Sequence, residues 1–181
     1  GKLAALPTAK QSAGAFKATS GNATGVIRGR VISALPISQD FESIIPTEDS
    51  LTDPGVKFAY PPLPWIGGRF KWEVRELDGN KVLFKTLSPV FFQRATTFIG
   101  SDEMKNYTVQ ADMMTEGNRR MKSEVGLINQ RYLITLKGNS NEIEVSSNQE
   151  RLKVAVPFPI AAKTWYTLKT RVDLAADGSG T

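Results

Sequence analysis

The chain has 181 residues, 40% of them hydrophobic and 23% charged, with no histidine and no cysteine. That is enough for a packed core, and it excludes disulfides, Cys/His zinc sites, thiolate nucleophiles and triads built on histidine. The formal net charge of +5 is uneven: residues 1–35 carry five basic residues and no acid, and the remaining 18 basic residues balance the 18 acidic ones. The basicity therefore reads as a solvated tail on a neutral body, with no nucleic-acid face.

In chain order, Gly1–Leu6 lacks a sustained apolar stretch, so no signal peptide is visible. Residues 7–25 are rich in Ala, Ser, Thr, Gly and Lys, which is linker composition. Residues 1–25 are accordingly assigned to a flexible tail and 26–181 to one β-sandwich domain. A short strand is expected over 26–33. Two proline-broken stretches follow, ending in the rigid Pro61-Pro62-Leu63-Pro64 run.

From residue 69 the pattern has period two and no helix is expected. In RFKWEVREL, Phe70, Trp72 and Val74 share a face that reads as core, and Arg69, Lys71, Glu73 and Arg75 share a wet one. Asp78-Gly79-Asn80 predicts a hairpin into a strand carrying Val82 and Phe84. Further strands are expected at Tyr107–Met113, 123–129, 131–138, 142–147 and 151–156, with turns at 138–141 and 148–150. The last strand spans Thr164–Leu174. Short strands joined by Gly/Asn/Asp turns predict an all-β fold, an antiparallel sandwich or jelly roll. The turn chemistry of Ala176–Gly180 predicts that the polypeptide continues past Thr181, or that a neighbouring chain or segment pairs with Thr164–Leu174. The domain is thus expected to be incomplete at its C-terminus.

Carboxylate chemistry remains open. Glu142 and Glu144 are two residues apart on one strand, and with Glu124 they form the candidate set for a glycoside hydrolase. The competing reading is a solvent-facing ladder with Arg151, Lys153, Lys169 or Arg171. Trp65 and Trp165 are candidate sugar-stacking residues, with Arg94, Asp112, Asn129, Gln130 and Arg131 as hydrogen-bonding partners. Oxygen ligands for calcium exist at Asp40, Glu42, Asp78, Asp112, Asp173 and Asp177, but no run has the spacing of a dedicated loop. No window is long and apolar enough for a helical membrane span.

Six ordered segments carry a resemblance: DFE (40–42), PPLPWIGGRFKWEVRELDGNKVLFK (61–85), RATTFIG (94–100), KNYTVQADMM (105–114), GLINQRY (126–132) and WYTLKTRVD (165–173). They resemble a bacterial sandwich module found C-terminal to PQQ-like β-propeller repeats in envelope proteins. The module is similar to concanavalin A-like jelly rolls, including LamG and 3-keto-disaccharide hydrolase domains. The resemblance covers about residues 26–181. It implies that Asp40-Phe41-Glu42 opens the first strand, that Tyr107–Met113 is central and that Gly126–Arg131 lines a concave face. It further implies a periplasmic or extracellular location and an N-terminal propeller in the same polypeptide. Lacking histidine and matching paired acids, the chain departs from the hydrolases. The expected function is a non-catalytic carbohydrate-binding or adhesive module without a cofactor. The alternatives are a carboxylate glycoside hydrolase and a structural module that docks on the propeller.

Overall fold

The computed structural model describes residues 4, 6, 12–63, 65–86, 95–116 and 123–180. Among them all regular structure is β and every strand pair is antiparallel. The sheets are small and open, and the chain divides into two compact units, Gly1–Ser101 and Asp102–Thr181.

The first unit begins with β1 (Ser12–Ser20) and β2 (Ala23–Val31), a hairpin in register from Ser12↔Val31 to Ser20↔Ala23. Residues 12–25, whose composition reads as flexible linker, are therefore largely strand. Small residues disguise the alternation, and the described side chains of the stretch are exposed. The hairpin is rooted by Arg30, whose Nη1 donates to the carbonyls of Leu63 (3.0 Å) and Trp65 (3.4 Å). Asp40-Phe41-Glu42 does not open a strand. The Asp40 carboxylate accepts the Glu42 N–H, Phe41 sits at φ 65° and its carbonyl accepts from Ile44, so the local side-chain bond favours a turn.

β3 (Glu48–Asp49) pairs with β4 (Lys57–Phe58), and an Ala59↔Val74 bridge carries β4 onto β6 (Trp72–Leu77). β5 (Trp65–Ile66) pairs with β8 (Phe98–Ile99). The Asp78-Gly79 turn, with φ 50° and 82°, joins β6 to β7 (Asn80–Lys85) as its residues predict.

The burial of this hairpin reverses part of the expectation. Register places Glu73 opposite Phe84 and Arg75 opposite Val82, so the charged face of β6 is the apolar face of β7. Val74 is fully buried as expected and Trp72 half-buried, but Glu73 and Arg75 are buried as well, and Phe70 is 69% exposed at φ 67°. The Arg75 guanidinium reaches Glu73 and Asp53 at 2.6 Å and Ser50 Oγ at 3.1 Å, and it lies 4.4 Å from the Phe84 ring centroid. Burial is tolerated because the cation has a carboxylate or hydroxyl at each nitrogen.

In the second unit β10 (Glu124–Asn129), β11 (Tyr132–Lys137), β12 (Glu142–Ser147) and β13 (Leu152–Pro157) form a four-stranded meander. The expected turns at 138–141 and 148–150 are present, with Asn141 and Arg151 at positive φ, and a further tight turn with Gln130 at positive φ joins β10 to β11. β9 (Tyr107–Met114) pairs with β14 (Trp165–Val172) over their full length. Leu127, Leu136, Ile160 and Leu168 form the buried core, and Val109, Ala111, Met113, Val125, Ile134 and Ile143 pack against it. After β14 the chain turns back at Asp177-Gly178, with a Leu174↔Gly180 bridge.

Candidate functional site

Alternation along β9 and β14 sends Val109, Ala111, Met113, Tyr166 and Leu168 to the core, so their neighbours must face outward. Register fixes who meets whom: Trp165 lies opposite Met114, Thr167 opposite Asp112, Lys169 opposite Gln110 and Arg171 opposite Thr108. Trp165 is 49% exposed at one end of this face. Beside it Thr167 Oγ1 donates to Asp112 Oδ1 at 2.5 Å, which leaves the other carboxylate oxygen toward solvent. Arg171 is held at the far end by a two-point contact with Asp173 at 2.7 Å. The face therefore offers an apolar ring, a carboxylate, an amide and an ammonium within one ladder.

Of the residues singled out from sequence, Trp165 and Asp112 come together here. Asn129, Gln130 and Arg131 lie around the β10–β11 turn. Asn129 is fully buried and its Nδ2 donates to the carbonyls of Tyr107 and Thr170, both at 3.2 Å. Gln130 donates to the Val172 carbonyl at 3.0 Å, and Arg131 pairs with Glu150 at 3.2 Å. The Asn129 and Gln130 contacts fasten the meander to the end of the β9–β14 pair, and Arg131–Glu150 ties two turns of the meander together. Trp65 belongs to the first unit, half-buried and tilted on Phe41 with ring centroids 5.6 Å apart. Arg94 lies outside the described residues. Thr167 and Gln110 are not among the candidates the sequence offers, and Lys169 is expected only as a ladder partner of Glu142 and Glu144. Their parity was visible, but the register that sets them beside Asp112 was not.

The hydrolase candidates also converge, on the open face of the meander. Lys137 stands opposite both Glu124 and Glu142 in register, and its Nζ is 3.0 Å from Glu144 and 3.8 Å from Glu142. Lys153 reaches Glu144 at 3.3 Å. The Lys137 hydrogen bond, reinforced by Lys153 against the opposing pull of burial, holds the Glu144 carboxyl below its ordinary range. The same bond holds the Lys137 ammonium above its own, against burial. A general acid needs the opposite shift.

Asp40, Glu42, Asp112, Asp173 and Asp177 each hold a hydrogen bond within the protein. Glu42 accepts the Lys81 N–H at 2.9 Å, and Asp177 accepts from the Ser179 backbone and hydroxyl at 2.9 and 2.7 Å. Among the described residues no group of three acids is arranged to hold a metal ion, and no helix is long and apolar enough to cross a membrane. No protein-family model matches the chain, and neither a curated protein nor a solved structure does.

Proposed function

We propose that the chain is a carbohydrate-binding or adhesive module without catalytic activity, and that the outer face of β9–β14 is its binding surface. The observation that carries this reading is Trp165, half exposed in a ladder with Asp112, Thr167, Gln110 and Lys169. A tryptophan ring covers the apolar side of a sugar, and the polar neighbours reach its hydroxyls. The sequence resemblance adds three proposals: a sandwich of the concanavalin A-like kind, a bacterial envelope location and a propeller in the same polypeptide. A glycan array tests the binding reading. Binding is expected to fall about thirtyfold in Trp165→Ala, the ~2 kcal/mol typical of a buried aromatic anchor. A folded chain that binds no glycan overturns it.

The convergence of Glu124, Glu142 and Glu144 on Lys137 favours a second reading, glycoside hydrolysis by carboxylates. Against it stands the direction of the Glu144 shift, which keeps that group ionised where an acid must hold its proton. Turnover of aryl or 3-keto glycosides that disappears in Glu144→Gln would establish hydrolysis over binding.

A further inference from the structure

The β1–β2 hairpin has two unlike faces. Register places Gly14 opposite Gly29, Phe16 opposite Ile27 and Ala18 opposite Gly25, so one face carries no charge at all. On the other face Ala15 lies opposite Arg28 and Lys17 opposite Val26, with Arg30 at the root. Phe16 is 55% exposed and Ile27 62% exposed, although both are large and apolar. Among the described residues Lys17 and Arg28 make no ion pair. Arg30 differs, since its guanidinium is spent on the carbonyls of Leu63 and Trp65. The hairpin is thus an anchored arm, apolar on one side and cationic on the other.

Two arguments choose its occupant. The first is area: nine residues per strand give a face of about 300 Å², so two copies stacked on it would bury about 600 Å². That is about half of what a stable pair buries. The second is charge: with five basic residues and no acid across 1–35, the complementary surface is anionic. A duplex would neutralise Lys17 and Arg28 but leave Phe16 and Ile27 in water. An anionic bilayer accounts for both faces at once. The apolar face enters the boundary between headgroups and acyl chains, and the opposite face stands at the depth of the phosphates. The geometry points to β1–β2 as an arm that lies on the surface of an anionic lipid membrane without spanning it.

The experiment is co-sedimentation of the full chain with vesicles of phosphatidylcholine alone and with vesicles that also contain phosphatidylglycerol. Binding is expected only to the anionic vesicles, and it weakens as salt rises. Lys17→Ala with Arg28→Ala is expected to lose roughly 25-fold, about fivefold per cation (~1 kcal/mol each). Phe16→Ser with Ile27→Ser is expected to abolish binding. All four side chains are exposed, so unchanged melting of the variants shows that the body is intact. Equal binding to both vesicles, binding to neither, or binding indifferent to both pairs of substitutions overturns the proposal. Affinity for duplex DNA in place of vesicles assigns the cations to nucleic acid and overturns it too. So does a dimer in sedimentation that Phe16→Ser with Ile27→Ser dissolves.

Discussion

Arg75 shows how one residue can decide the packing of its neighbourhood. Its guanidinium neutralises Glu73 and engages Ser50 in surroundings nearly closed to water, and it reaches the partly exposed Asp53. Replacing it by Met leaves the Glu73 carboxylate buried beside Phe84 with no cation. Breaking such a pair from one side costs about 3–5 kcal/mol. Arg75→Met is therefore expected to lower the denaturant midpoint strongly. Arg75→Met with Glu73→Leu should recover much of the loss, because apolar replacements of a buried pair pack well. A double variant no more stable than the single one would show that Asp53 and Ser50, not Glu73, suffer from the change.

The Lys137 cluster makes a second prediction at the same scale, with its sign set by direction. The Glu144 carboxyl is held below its ordinary 4.5 by hydrogen bonds from Lys137 and Lys153. Its contribution to stability is present above that ordinary value and is lost as pH falls through the lower, folded-state value. The Lys137 ammonium is held above its ordinary 10.5 by Glu144, so its contribution is present below 10.5 and disappears as pH rises through the raised value. Melting temperature against pH is expected to fall at both extremes. In Lys137→Met both slopes should be shallower. Identical acid limbs in the two proteins would assign the acid sensitivity to other carboxylates.

Elements show where pattern is sufficient and where pairing must be known. The alternation of β9 and β14 announced which residues face the core, and Val109, Ala111, Met113 and Leu168 lie there. The alternation of β6 was just as clear, yet Glu73 and Arg75 are buried and Phe70 is out. Register accounts for the buried pair, because β7 sets Val82 and Phe84 against the charged face, whereas Phe70 precedes β6 and sits at positive φ. Both faces of β6 are covered, since Val74 on the other side is fully buried, so period two separates the faces without saying that one of them stays wet. The β1–β2 hairpin was hidden for another reason, since Gly and Ala on one face give little contrast against the cations on the other. At Gly126 pairing acts through space. A Cβ there would stand 2.2 Å from the Ile134 carbonyl oxygen and 2.9 Å from Thr135 Cα, both backbone atoms of the partner strand. Gly126→Ala is expected to cost about 1–3 kcal/mol in a chemical melt, the price of overpacking a fixed backbone. A variant as stable as the parent would mean that β10 and β11 can part without loss.

At the scale of the whole molecule, the all-β class and the turns were legible because they rest on local chemistry. The face that joins Trp165 to Asp112 was half legible, since its members carry the right parity but meet only through the β9–β14 register. The second unit carries a core of its own: Leu127, Leu136, Ile160 and Leu168 all come from residues after 101. Its ties at the end of that core are internal as well. Asn129 bonds to Tyr107 and Thr170, the Tyr132 hydroxyl donates to Glu150, and Tyr132 Oη stands 3.2 Å from the Gly180 carbonyl oxygen. Small domains of this size are marginal but often fold alone. Residues 102–181 are therefore expected to fold as an isolated fragment, with a β-type circular dichroism spectrum and one cooperative melt. Tyr132→Phe should lower the melting temperature of that fragment, since it removes the bond to Glu150 from a buried site, at a cost of about 1–3 kcal/mol. A fragment that melts without cooperativity, while the full chain melts sharply, would show that residues before 102 complete this core.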